Sequence, residues 1–166
     1  MRAPLLSTAA AVLILFSLGP ATAKTPKTFI EDGIQSDTAE VMMGKLAGQK
    51  GASPGVKQFA ETLVDDHSKA KNEKLAVAQK IGAAVLAEPK KDAQMEYEKL
   101  SKLSGTAFDH EFIMHMKMDH EKDIKEFEEE AKAGHAETSN LAMMQLPTLR
   151  KHLGIVQALE KDPAAR

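Results

Sequence analysis

The sequence has no cysteine, and this absence excludes disulfide bonds, thiolate catalysis and cysteine-based metal sites. Tryptophan is also absent, and tyrosine occurs once. Methionine, by contrast, occurs nine times, and its flexible thioether can fill the gaps that a small set of aromatic side chains leaves. Stability must therefore come from side-chain packing.

A large net charge is missing as well. The 22 lysines and arginines nearly balance the 24 aspartates and glutamates, for a formal charge of −2. This balance gives no electrostatic basis for binding nucleic acid. Glycine-rich phosphate loops, the G-x-S-x-G elbow and the paired E-x-x-H motifs of di-iron carboxylate proteins are also absent. No reaction is indicated, and an enzyme that uses a metal centre stays open only as an alternative.

Long apolar runs are missing except near the amino terminus. Arg2 precedes an apolar run over residues 9–18, and Ala21 and Ala23 give a small-x-small cleavage pattern. The run is too short to span a bilayer stably. We predict a cleavable signal peptide over residues 1–23, a periplasmic location, and a single mature domain over residues 24–166 without a membrane span. A retained N-terminal anchor is the alternative.

The remaining sequence lacks an alternating apolar pattern and has few β-branched clusters, so strands are not predicted. Glycine and proline instead separate four long helical segments, at about residues 28–49, 54–81, 106–133 and 137–161, and a short one at about residues 92–103. Ser53 and Pro54 form a typical helix start, whereas Pro147 is expected to kink the last segment or to separate its first turns. Short links between long helices favour an all-α, up-and-down four-helix bundle with a short extra helix.

Two of these segments share an internal repeat. Residues 59–73 and 112–126 both fit F-x6-D-H-x-K-x3-E, with an offset of 53 residues. Five fixed identities in register favour duplication of a helix pair over a chance similarity between charged helices.

The six histidines fall into two groups when about 100° of rotation per residue is applied along each helix. His67, His120 and His152 lie among the apolar residues of the last three long helices, and Glu40 lies on the apolar stripe of the first. Each long helix is therefore expected to direct one metal-binding side chain inward. The other histidines lie beside or outside these stripes and are predicted to be solvated: His110, His115 and His135.

Burial of three imidazoles and a carboxylate is costly unless each has a partner. One divalent metal ion would satisfy all four, and these ligands suit zinc, iron, manganese or copper(II). Asp66 and Asp119 directly precede two of the histidines and point about 100° away, so we expect them to orient ligands. Asp37 and Asp123 lie closer to the stripes and could add a carboxylate. The alternative is a structural or interaction module with a buried hydrogen-bond network and no metal.

The segment MHMKMDH, residues 114–120, offers thioethers and imidazoles that suit copper(I). On a helix, however, Met114 and Met118 share one face and Met116 points to another. This separation favours core filling over a common set of ligands.

Several segments together resemble a known family. They are LSGTAFD at residues 103–109, LPTLRKHL at residues 146–153 and the two DH pairs of the repeat. Over about residues 28–159 the sequence is similar to the family called domain of unknown function 4142, whose members are exported bacterial proteins assigned a ferritin-like helical fold. The resemblance implies that fold but no activity, and it places recurring polar positions at Glu40, His67, His120 and His152. His110 departs from the family, in which an arginine is expected after FD, and the change is expected to affect only a surface contact.

Overall fold

The computed structural model describes residues 24–86 and 88–163, which form five α-helices. The helices are α1 (Pro26–Lys50), α2 (Pro54–Ile81), α3 (Lys91–Ser101), α4 (Gly105–Lys132) and α5 (Ala136–Lys161). No strand occurs among these described residues, so the predicted all-α class is confirmed. None of the helices described is long and apolar enough to cross a membrane. The predicted signal peptide lies outside the described residues.

Capping side chains set where the first two helices begin. The Thr25 hydroxyl accepts a hydrogen bond from the backbone N–H of Thr28 at 3.2 Å, and Pro26 occupies the first helical turn. α1 therefore begins slightly before the predicted position. Ser53 caps α2 in the same way, and Gly82, with a φ of 66°, ends that helix in a left-handed conformation that suits glycine.

The last helix continues through Pro147 without interruption. Separation of its first turns, one of the two outcomes expected from the sequence, does not occur. Proline has no N–H, so the carbonyl of Met143, four residues earlier, loses its helical partner. Met143 is exposed, and solvent is available to that carbonyl.

The four long helices form two hairpins, because α1 packs along α2 and α4 packs along α5. Three residues join the helices within each hairpin, so the neighbours run antiparallel. Across the hairpins, α2 contacts α5 and α1 contacts α4, while α3 lies against α1 and α4. The internal repeat occupies the second helix of one hairpin and the first helix of the other. Duplication of a hairpin in chain order therefore does not account for it.

The interior consists of two apolar clusters with polar residues where they meet. One cluster contains Phe59, Phe112 and Val156, and the other contains Phe127 and Leu149. Buried polar residues lie between the two clusters along the long helices: Asp37 and Glu40 on α1, His67 and Lys74 on α2, His120 and Asp123 on α4, and His152 on α5. The four helices thus bring their polar side chains to a common level of the interior.

Candidate metal centre

The imidazoles of His67, His120 and His152 meet in the polar layer. Their ring centroids are 5.7 Å apart for His67 and His120, and 5.3 Å apart for each pair that includes His152. One ring nitrogen from each histidine lies within 4.8 Å of the corresponding nitrogens of the other two. All three side chains are buried. Three helices separated along the chain therefore place three possible ligands around one point.

Hydrogen bonding fixes the proton of His120 on the outer side of this cluster. Its Nδ1 lies 2.9 Å from the carbonyl oxygen of Met116, one turn earlier on α4. A carbonyl oxygen only accepts hydrogen bonds, so Nδ1 carries the proton and donates it. Burial, and then the charges of His67 and His152, lower the pKa of His120 to about 3 and keep the ring neutral. Its Nε2 is therefore unprotonated and faces the other rings.

The proton of His152 is held in the same way, on the side away from the cluster. Its Nε2 donates to the Oδ2 atom of Asp66, 2.9 Å away. Burial by itself raises the pKa of Asp66, but the hydrogen bond from His152 and the charge of Lys151 bring it below its usual value. Burial lowers the pKa of His152 to about 4, so this ring is also neutral. Its unprotonated Nδ1 lies 3.2 Å from the Nε2 of His120.

A third outer partner is supplied by Asp37. The Nδ1 of His67 donates to Asp37 Oδ1 at 3.0 Å, and the Nζ of Lys74 donates to Asp37 Oδ2 at 2.7 Å. Lys74 is only 2% exposed, so this is a buried ion pair that fixes the position of the carboxylate. His67 thus directs its Nε2 toward the cluster.

Glu40 completes the group. Its Oε2 lies 3.3 Å from the Nε2 of His67 and 3.9 Å from the Nε2 of His120. Neither carboxylate oxygen of Glu40 accepts a hydrogen bond from a described residue, although the side chain is 1% exposed. Burial, and then the charges of Asp119 and Asp123, hold the pKa of Glu40 well above its usual value. A buried carboxylate of this kind requires a proton or a cation.

These four side chains offer three imidazole lone pairs and one carboxylate at a single place, and the group could hold a metal ion. Two ligand atoms bound to a tetrahedral zinc ion are about 3.3 Å apart. The contacts of 3.2 Å between His120 and His152 and of 3.3 Å between His67 and Glu40 are close to that spacing. The outer partners of the three rings are a carbonyl and two carboxylates, the groups that orient metal-binding histidines.

Asp119, the second aspartate expected to orient a ligand, lies beside Glu40 and Asp123. One oxygen each from Glu40, Asp119 and Asp123 lie within 4.8 Å of one another. Among the described residues, no hydrogen bond joins Asp119 to an imidazole. Burial, and then the charge of Asp119, raise the pKa of Asp123 to about 7. A second, purely carboxylate group is therefore adjacent to the histidine cluster and shares Glu40 with it.

Two cavities reach this layer, and their walls share Gly33, Ser36, Asp123 and Phe127. One, of about 270 Å³, is lined by Glu40, Asp119, Asp123 and His115, and the other, of about 160 Å³, is lined by His67 among others. His115, predicted to be solvated, is half-buried in the wall of the larger cavity. The spacing of four residues from His115 to Asp119 and again to Asp123 places all three on one side of α4, a signal that sequence reasoning overlooked.

The other sequence expectations differ in outcome. His110 is exposed, as predicted, whereas the Nδ1 of the half-buried His135 lies 2.9 Å from an oxygen of Glu130. Met116 is fully buried and Met118 is 66% exposed, so the methionines of that segment do not converge on one ligand set. Lys74 was not identified from the sequence, although it follows His67 by seven residues, or two helical turns.

Comparison with known proteins bears on the fold and the family. No curated protein matches the chain significantly. The crystal structure of a DUF305 fragment from Deinococcus radiodurans is similar, with a TM-score of 0.68 and 16% sequence identity, over 83% of this chain and 97% of that chain. At this identity the likeness concerns the fold alone. The family described as "Domain of unknown function (DUF4142)" matches residues 17–159, nearly all of the chain, and the chain therefore belongs to that family.

Proposed function

We propose that this protein binds a divalent transition-metal ion in its interior and serves metal homeostasis or stress tolerance. The ligands are the Nε2 atoms of His67 and His120, the Nδ1 of His152 and the carboxylate of Glu40. Zinc, iron, manganese and copper(II) all suit three imidazoles with one carboxylate. The observation that carries the proposal is that these three buried imidazoles converge on one point beside a buried carboxylate that has no hydrogen-bond partner among the described residues.

Proton positions distinguish a metal site from a hydrogen-bond network. In a network, one of two facing nitrogens must donate a hydrogen bond to the other. The nitrogens of His120 and His152 that face each other at 3.2 Å have no proton to donate, because Met116 and Asp66 accept those protons on the outer side. Two lone pairs at this distance repel unless a cation lies between them. A bound metal ion removes that repulsion and also provides a partner for Glu40.

The proposed setting is a ferritin-like four-helix bundle in the periplasm. Support for the bundle comes from the two antiparallel hairpins that contact each other and from the polar layer between two apolar clusters. Support for export comes from the apolar segment at residues 9–18 and the small residues that follow it. Finding Lys24 as the amino terminus of protein from the periplasmic fraction would test the location.

Metal analysis tests the binding proposal directly. The protein is purified without a histidine tag, stripped with a chelator, dialysed against zinc, iron(II), manganese or copper(II), and analysed by mass spectrometry for bound metal. For zinc we expect about one equivalent of tightly bound ion, no bound zinc in the His67→Ala/His120→Ala variant, and full binding in His110→Ala, which removes an exposed histidine from the same protein.

Thermal unfolding gives a second readout. An ion present at 100 times its dissociation constant stabilises a native protein by about 2.7 kcal/mol, which corresponds to a rise in melting temperature of roughly 5–10 °C for a domain of this size. A protein that binds no metal and whose melting temperature does not change with any of the four ions would contradict the proposal. The interior would then be a structural hydrogen-bond network.

A further inference from the structure

Three carboxylates meet beside the histidine cluster, and among the described residues none of them forms an ion pair with a lysine or an arginine. They belong to Glu40 on α1 and to Asp119 and Asp123 on α4, and one oxygen of each lies within 4.8 Å of the others. Within the described parts of the chain, no lysine or arginine forms an ion pair with Asp119 or Asp123, and the closest polar contact is a 3.3 Å hydrogen bond from Ser36 to Asp123. Buried carboxylates grouped in this way repel one another unless a proton or a cation joins them.

Glu40 provides an independent reason to expect a ligand here. Its side chain is 1% exposed, yet neither oxygen accepts a hydrogen bond from a described residue. The carboxylate lies 3.3 Å from the Nε2 of His67, and one of its oxygens lies within 4.8 Å of an oxygen of each aspartate. A carboxylate has two oxygens and about four lone pairs, so Glu40 can serve two ions at once.

The larger cavity provides both access and space. It has a volume of about 270 Å³ and is lined by all three carboxylates. One water molecule occupies about 30 Å³ in the liquid, so the cavity has room for an ion together with several of its waters. Divalent cations that prefer oxygen ligands commonly keep such waters when a protein supplies only a few carboxylates.

We infer that Glu40, Asp119 and Asp123 form a second cation site, that it takes an oxygen-preferring divalent cation such as manganese, and that Glu40 bridges it to the ion held by the histidines. The inference deepens the proposed function and rests on it, because Glu40 is common to both sites. Asp37 is neutralised by Lys74, whereas no lysine or arginine of the described residues forms an ion pair with Glu40, Asp119 or Asp123.

Sequential loading tests for the second ion. The stripped protein is first given one equivalent of zinc, which imidazoles favour, and is then dialysed against increasing manganese. Both metals are counted by mass spectrometry. We expect wild-type protein to hold one zinc and one manganese. The Asp119→Asn/Asp123→Asn variant is expected to keep its zinc and to bind manganese at least tenfold more weakly.

The matched control is Asp92→Asn/Glu96→Gln, which removes two carboxylates of α3 from the wall of the same cavity. It is expected to bind both metals as wild type does. Circular dichroism checks that each variant is folded, and Asp119→Asn alone, at a half-buried position, provides a milder change. Equal loss of manganese in the control would show that cavity charge alone attracts the ion and would overturn the inference.

The outcomes separate this inference from the proposed function. One zinc and no manganese in wild type would overturn the second site and leave the histidine site intact. No zinc in wild type would overturn the proposed function and the bridged pair with it. Zinc that is lost in Asp119→Asn/Asp123→Asn but kept in His67→Ala/His120→Ala would place a single ion at the carboxylates, which also overturns the inference.

Discussion

The Nε2 of His120 and the Nδ1 of His152 face each other at 3.2 Å. Each ring donates its proton to an acceptor on the outer side of the cluster. His120 donates to the carbonyl oxygen of Met116, and His152 donates to the carboxylate of Asp66. These outer contacts fix the tautomers, so they determine which nitrogens are available to a metal. The function proposed for the site therefore depends on residues that do not contact the ion.

Asp66→Ala tests this dependence. Loss of the acceptor lets His152 rotate or adopt the other tautomer, and loss of an outer partner of this kind typically weakens metal binding by about 10- to 100-fold. We expect that decrease in zinc affinity, measured by competition with a chromophoric chelator, while all four ligands remain. Asp65→Ala, which removes the exposed neighbouring aspartate, is the control and should bind zinc as wild type does. Equal affinities in the two variants would refute the orienting role of Asp66.

Lys74→Met tests the buried ion pair behind His67. Lys74 and Asp37 are 2% and 3% exposed, and their charged atoms are 2.7 Å apart. Methionine is similar in length but leaves Asp37 without its cation, and removing one member of a buried pair costs about 3–5 kcal/mol. We expect a loss of that order in the unfolding free energy of the metal-free protein, measured with urea.

Two further variants check the reason for that loss. Lys69→Met, at an exposed position of the same helix, should change stability by less than about 0.5 kcal/mol. Adding Asp37→Asn to Lys74→Met should recover much of the stability, because the unpaired charge is removed as well. A double variant that is as unstable as Lys74→Met would attribute the loss to packing rather than to charge.

Much of this site could be predicted from the sequence, because the periodicity within one helix shows which of its side chains point toward the interior. His67, His120, His152 and Glu40 share the apolar stripes of their helices, and those stripes set the direction of each side chain. Tertiary partners could not be predicted in this way. Asp66 was expected to act beside its neighbour on α2, but its carboxylate contacts His152 on α5. Helical periodicity gives the direction of a side chain and does not identify the helix that lies there.

Two residues of the site were not predicted from the sequence, and the reason is again that their surroundings depend on other helices. Lys74 belongs to a residue type that is rarely buried, and only its pairing with Asp37 makes burial tolerable. His115 lies off the apolar stripe of α4, and it is half-buried because a cavity separates that part of α4 from α1 and α3. Both cases depend on how the helices are arranged, which the pattern within one helix does not specify.

Asp123→Asn is expected to stabilise the metal-free protein relative to wild type, and this stabilisation should increase as the pH rises. The pKa of Asp123 is about 7 in the folded protein, against 3.8 for an unperturbed aspartate. Between these values the folded state holds a proton that the unfolded state releases, so the wild-type carboxyl makes folding less favourable as the pH increases. The difference in unfolding free energy between variant and wild type should be small near pH 4. It should grow by at most about 1.4 kcal/mol per pH unit and level off above pH 7.

Urea unfolding of both proteins at several pH values measures this difference, and the effects of titrating groups remote from Asp123 cancel in the comparison. Asp92→Asn, which replaces an exposed aspartate of the same cavity wall, is the control, and an equally large pH-dependent difference in that variant would assign the effect to the charge of the cavity. A constant difference for Asp123→Asn would show that its carboxyl is not shifted by burial and by Asp119.

Asp109→Ala should destabilise the protein without changing its metal content. Asp109 is fully buried on α4, and its two oxygens accept the backbone N–H groups of Ala52 and Ser53 at 2.9 and 2.7 Å. These two hydrogen bonds hold the link between α1 and α2 against α4 of the other hairpin. The aspartate of the LSGTAFD segment therefore has a structural role. In the alanine variant the buried N–H of Ser53 loses its acceptor, at about 1–3 kcal/mol, and the part-buried N–H of Ala52 loses its acceptor at a smaller cost. Urea unfolding should show a loss of about 1–4 kcal/mol, and Asp109→Asn, which keeps one acceptor oxygen, should lose less. Metal analysis of the folded variant should still find the wild-type content, and a selective loss of metal with normal stability would instead assign this aspartate to the metal centre.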